Sequence, residues 1–105
     1  SIRYKAIADG KVDVVDGYTT DAEVARYKLV VLKDNRHFFP PYQGAPIMKE
    51  SFKKAHPEVV KALNKLAGKI TEDQMQQMNY QVQVKHRKAR DVAHDFLVEQ
   101  KIINK

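Results

Sequence analysis

Val12-Asp13-Val14-Val15-Asp16-Gly17-Tyr18-Thr19-Thr20-Asp21 is the stretch from which the rest of the chain is read. Its first five residues are largely β-branched and end at a glycine, the pattern of a buried strand running into a turn. A second apolar run, Leu29-Val30-Val31-Leu32, closes at Lys33-Asp34-Asn35, and residues 21–27 between the two suit a short helix capped by Thr20 or Asp21. The expected order is strand, helix, strand. Upstream, Tyr4, Ile7 and Ala8 share one face of a helical end over residues 3–9 that Gly10 stops, and that helix reads as truncated at its start.

Downstream comes Phe38-Phe39-Pro40-Pro41-Tyr42. Two adjacent prolines fix φ and remove two backbone donors, so this is an extended crossing segment and not a central strand. Ala45-Pro46-Ile47-Met48 resembles a third short strand, after which the chain turns wholly helical. Pro57 suits a first helical position, Val59, Val60, Leu63 and Leu66 form an apolar stripe, and Gly68 is placed for a left-handed cap. Thr71-Glu72-Asp73-Gln74 is a capping box opening the next helix, with Met75 and Met78 turned inward. A last helix, roughly 88–103, buries Val92, Ala93, Phe96, Leu97 and Ile102. The fold class is therefore α/β, with few strands early and several helices late. Three strands make a poor sheet alone, and parallel strands need covered faces and neighbours, so further sheet is expected from outside this chain.

Composition narrows the function classes. The 105 residues are 43% hydrophobic, enough to fold, although so short a chain buries a small fraction of its surface. The 19 Lys and Arg against 13 Asp and Glu give a net charge of +6, scattered except at Lys85, Arg87, Lys88 and Arg90. A solvated surface explains that cluster; a small basic nucleic-acid-binding domain is the alternative, but no aromatic residue interleaves it to stack on bases. There is no cysteine, hence no disulfide or thiolate site. No apolar run approaches the ~18 to 20 residues that span a bilayer, and Ser1-Ile2-Arg3-Tyr4 is not a signal peptide, so any export or anchoring signal is expected outside these residues. His37, His56, His86 and His94 lie in separate elements and lack the i+3 or i+4 partner of a helical metal site. Asp13, Asp16 and Asp21 suit turns and caps, not a calcium loop, and each glycine stands alone. No catalytic, metal or cofactor constellation emerges, and no enzyme is expected.

The tyrosines are more informative. Tyr18 follows a strand, Tyr42 follows the diproline crossing, and ligands of open α/β sheets lie outside the carboxyl ends of strands. Two tyrosines there could face one cleft, or could simply bridge core and solvent. In a cleft they suit a cation without hydrogen-bond donors: a quaternary ammonium is held by ring faces within ~6 Å while its methyl groups bury apolar area.

The stretch 12–21, with Leu29 to Asp34, Phe38 to Tyr42, Ala45-Pro46, Leu63 to Ile70, Met78-Asn79-Tyr80 and Val92-Ala93 to Phe96-Leu97, resembles the glycine betaine/carnitine/choline-binding protein family of bacterial ABC importers. The resemblance covers nearly the whole chain. It implies a two-lobed, periplasmic-binding-protein-like (type II) fold, of which this chain would be a C-terminal part. Residues 1–39 would end the second lobe, and 40–105 would cross the hinge and complete the first. It further implies capture of a quaternary ammonium osmoprotectant in a tyrosine cage and delivery to ABC permease subunits. Tyr18 and Tyr42 match two cage tyrosines, with Thr20 and Gln43 beside them as further ligand-binding candidates. The protein would be extracytoplasmic and membrane-associated, as a lipoprotein or fused to its permease. Gln43-Gly44 departs from the Asp-Ala usual after the crossing tyrosine, and Lys85-His86-Arg87-Lys88 is more basic than the usual acidic turn. Members with a similar Tyr-Gln-Gly-Ala-Pro stretch look like ergothioneine carriers, which keeps that betaine as the alternative solute. As a lobe fragment, the chain is expected to self-associate or exchange elements between copies.

Overall fold

The computed structural model describes residues 1–104. Among them are six helices: α1 (Ile2–Ala8), α2 (Ala22–Arg26), α3 (Glu50–Ala55), α4 (Pro57–Asn64), α5 (Glu72–Gln83) and α6 (Ala89–Glu99). Local signals set several of their ends. Gly10, at φ 70°, follows α1 and lets the chain turn left-handed. Pro57 occupies the first turn of α4. The chain leaves α4 through turns over 65–69, with Gly68 at φ 69°. The capping box of α5 is complete: the Gln74 N–H donates to Thr71 Oγ1 at 3.2 Å, and the Thr71 N–H donates to Gln74 Oε1 at 2.9 Å. Behind α6, Lys101 takes φ 55° and the Ile102 N–H returns to the Leu97 carbonyl at 2.9 Å, so this helix ends before the 103 expected from its apolar pattern.

The core is small. Its buried apolar residues are Tyr4, Ala22, Val24, Val92 and Phe96. Val24 and Ala22 turn α2 onto α5, and α5 in turn packs on α6. Val92 and Phe96, four residues apart, share the inward stripe of α6, while Ala93 is exposed, contrary to the burial expected of it, because nothing packs on that side of the helix. Ala8 is exposed for the same reason, and Met75 and Met78 are half-buried.

No strand is present among the described residues. Residues 12–16, 29–32 and 45–48, each expected as a strand, run without regular pairing, and no backbone hydrogen bond joins one to another. The physical reason is that a strand is defined by its neighbour: β-branched residues favour the conformation, but the ladder needs a second chain segment 4.7–4.9 Å away, as a general spacing. None is supplied here. Val14, Val30, Leu32, Phe38, Phe39 and Ile47 all stand exposed, Ile47 at 95%. The radius of gyration is 17.1 Å, against about 13 Å for a compact domain of this length. The accessible surface is 9231 Å² for 12.1 kDa, against about 6,000 Å² for a closed monomer of that mass. These 105 residues thus carry far more uncovered apolar surface than a self-contained domain does.

Candidate functional site around Tyr18 and Tyr42

Tyr18 opens a β-turn, closed by the Asp21 N–H donating to the Tyr18 carbonyl at 3.0 Å. Asp21 also turns its carboxylate back on the turn, where Oδ2 accepts the Tyr18 N–H at 3.2 Å and the Tyr4 hydroxyl at 2.5 Å. Arg3 approaches the same oxygen at 3.6 Å and reaches Asp16 at 3.3 Å. Tyr4, 3% exposed, lies directly beneath Gly17, where a side-chain carbon would collide with its hydroxyl; only glycine lets backbone and ring approach this closely. Burial, and then the hydrogen bond to Asp21, push the Tyr4 hydroxyl up to about 12. From the far side, α5 closes on the turn: Gln76 Nε2 donates to the Thr19 carbonyl at 2.7 Å and Asn79 Nδ2 to the Thr20 carbonyl at 2.8 Å.

Tyr42 reaches Tyr18 from a different segment. The two rings stack, with centroids 5.3 Å apart and planes inclined at 29°. Their approach is remote in sequence and follows from the way residues 33–42 turn back. At the start of that return, the Asp34 carboxylate accepts the N–H groups of Phe38 at 3.0 Å and Phe39 at 2.9 Å. The Phe39 and Phe38 amides hold this carboxyl below the usual carboxylate range. The prolines Pro40 and Pro41 then leave Tyr42 as the next side chain able to stack.

The four candidate residues divide accordingly. Tyr18 and Tyr42 come together; Thr20 contributes its carbonyl to α5 and stays half-buried; Gln43 is exposed beside Tyr42. Tyr18 is 56% and Tyr42 85% exposed, so both offer open ring faces. Rings this close are already in contact with one another. The pair therefore leaves its outward faces and edges open, with no gap between the rings. Gln76 and Asn79 are not among the site residues read from the sequence, although Asn79 lies in a stretch that carries the resemblance: amides three apart on a helix look like ordinary surface, and only their carbonyl partners distinguish them.

The basic corner between α5 and α6 is partly occupied by its own chain. Arg87 pairs with Asp95 at 2.6 Å, which holds that carboxyl low, and the Lys85 ammonium lies 5.7 Å from the centre of the Tyr80 ring. An open groove of about 330 Å³ runs between the two helices there, past Met78, Val92 and Phe96. Among the described residues no group of three or more His, Cys, Asp or Glu is close enough to hold a metal ion, and no helix is long and apolar enough to cross a membrane.

Residues 2–99 match the family model described as the substrate binding domain of ABC-type glycine betaine transport systems. The chain is 41% identical over 97 residues to the ergothioneine transport permease/ergothioneine binding protein of Helicobacter pylori (strain G27), covering 92% of this chain and 18% of that protein. It is 39% identical over 94 residues to a carnitine transport binding protein of Listeria monocytogenes, covering 90% and 30%. A crystal structure of a glycine betaine/carnitine/choline ABC transporter superposes with a TM-score of 0.84 at 39% identity, over 94% of this chain and 36% of that one. The chain spans less than a third of the two relatives' length, which accords with its excess of uncovered apolar surface.

Proposed function

The chain belongs to the family of substrate binding domains of ABC-type glycine betaine transport systems, and on that premise we propose that it is part of the extracytoplasmic, membrane-associated component that captures a quaternary ammonium solute and delivers it to ABC permease subunits. The observation that carries this reading is the meeting of Tyr18 and Tyr42, at 5.3 Å, from segments remote in sequence and with open ring faces. Tyrosine faces attract a cation through their negative quadrupole and bury its methyl groups, and they ask for no hydrogen-bond donor, which a trimethylammonium lacks. Thr20 and Gln43 flank the pair. Binding and release, not bond-making, is the chemistry such a surface supports.

On this reading the residues expected as strands, 12–16, 29–32 and 45–48, find their neighbours in the part of the relatives' length that this chain does not span, completing an α/β, periplasmic-binding-protein-like fold. The boundary between lobes falls at 39/40, and the remaining walls of the cage come from that other part. The 105 residues alone are then expected to self-associate through the uncovered segment 29–47; a monomer by light scattering at high concentration contradicts this.

Glycine betaine, carnitine, choline and ergothioneine all carry the trimethylammonium group the pair suits, and the relatives' names divide among them. The nucleic-acid alternative has no comparable support, since Arg87 and Lys85 are engaged within the chain. The test is calorimetric titration of the longest natural chain containing these residues with each of the four solutes. Saturable heat from one names the solute; no heat from any, with a folded sample, overturns the proposal.

A further inference from the structure

Two hydrogen bonds stand apart from the rest. Among the described residues, Gln76 to Thr19 and Asn79 to Thr20 span 57 and 59 positions, whereas no other side-chain hydrogen bond spans more than 22. Both donors are side-chain amides on one face of α5, three residues apart, and both acceptors are the central carbonyls of the turn that Tyr18 opens. No backbone N–H reaches either carbonyl among the described residues, so the two amides are their protein partners. Both bonds are short and partly buried, which strengthens them and makes a misplaced acceptor costly.

We infer that Gln76 and Asn79 are positioning residues for ligand binding: they clamp the carbonyls of Thr19 and Thr20, fix the turn, and so set the Tyr18 ring at the angle at which it meets Tyr42 and the bound cation. This rests on the reading of Tyr18 as a ligand-binding residue. The clamp needs donors. A carboxylate of the same shape presents an oxygen to the carbonyl and repels it, so Asn79→Asp and Gln76→Glu break the contact with almost no change of volume. Under the lobe boundary proposed at 39/40, the clamp also joins the two lobes beside the ligand, so that ordering the turn and closing on solute become one event.

The test is a double-mutant cycle in the longest natural chain containing these residues, read as the dissociation constant for whichever of glycine betaine, carnitine, choline or ergothioneine binds it. Asn79→Asp is expected to weaken binding about 5-fold, the worth of one such hydrogen bond, and Gln76→Glu, made separately, serves equally if the first variant fails to fold. In a Tyr18→Leu background either change is expected to add less than about 2-fold, because the residue through which it acts has gone. Equal weakening in both backgrounds assigns the amides a general structural role and overturns the inference. No weakening in either, while Tyr18→Leu itself binds worse, overturns it and leaves the tyrosine reading standing. Tyr18→Leu with unchanged affinity removes Tyr18 from the site and the inference with it.

Discussion

The two stacked tyrosines rest on backbone held in opposite ways. Beneath Tyr18, the turn 17–21 is fixed from every side: Tyr4 fills the space under Gly17, Asp21 binds the Tyr18 N–H and the Tyr4 hydroxyl, and α5 holds the next two carbonyls. Tyr42 lies in a segment where, from residue 30 to 47, every residue is exposed and Asp34 alone supplies side-chain hydrogen bonds to the backbone. The first region finds its partners within these residues. The second exposes its apolar side chains, and under the proposed fold they are covered by the part of the relatives' length that this chain does not span. Under the proposed function, one rigid and one dependent wall would tie ligand capture to whatever covers the second wall.

Breaking the rigid wall has the largest expected effect. Tyr4→Ala removes a buried ring and takes one hydrogen-bond donor from Asp21, which keeps the Tyr18 N–H and Arg3, and is expected to cost about 3 to 5 kcal/mol of unfolding free energy, read by denaturant titration of the whole protein. A loss below about 1 kcal/mol shows that the turn does not rest on Tyr4.

The same wall has a pH signature. Because the Tyr4 hydroxyl is raised in the fold from 10.0 to about 12, the folded state retains that proton more strongly than the unfolded one. Its stabilisation is complete below pH 10 and is lost as pH rises towards 12, and Tyr4→Phe removes that step. Identical alkaline unfolding of the two proteins refutes the coupling.

The dependent wall responds at the other end of the scale, and more weakly. Asp34 is depressed below the usual 3.8, so the loop it ties is held above that pH and released as pH falls through the lower folded value. Asp34→Asn is expected to abolish an acid-dependent shift of the Phe38 and Phe39 amide signals in nuclear magnetic resonance titration. Persistence of that shift in the variant assigns it to another group.

What was legible in the sequence follows the same division. Helix starts with a local cause, at Pro57 and at Thr71 with Gln74, can be read residue by residue because the cause and the effect lie within one turn, whereas α4 ends at Asn64, four residues before the Gly68 expected to cap it. Residues 12–16, 29–32 and 45–48 cannot be settled that way, since β-branched composition expresses a preference that only a neighbouring strand realises. Ala93 looks buried beside Val92 and is not, because burial depends on what packs against a helix as well as on its periodicity. At the site, Tyr18 and Tyr42 stand out by position next to a turn and a diproline. Their meeting at 5.3 Å, and the grip of Gln76 and Asn79 on the turn, are tertiary facts that no spacing encodes.

The central claim is that the tyrosine pair binds a cation through its ring faces, and substitution of Tyr42 tests it most directly because this side chain, 85% exposed, can change without unfolding the protein. In the longest natural chain, Tyr42→Phe keeps the ring and is expected to bind the solute within about 3-fold of the parent, whereas Tyr42→Leu keeps apolar bulk without a π face and is expected to weaken binding by ~1 to 2 kcal/mol. Equal affinities for the two variants, whether both retained or both lost, would contradict the account.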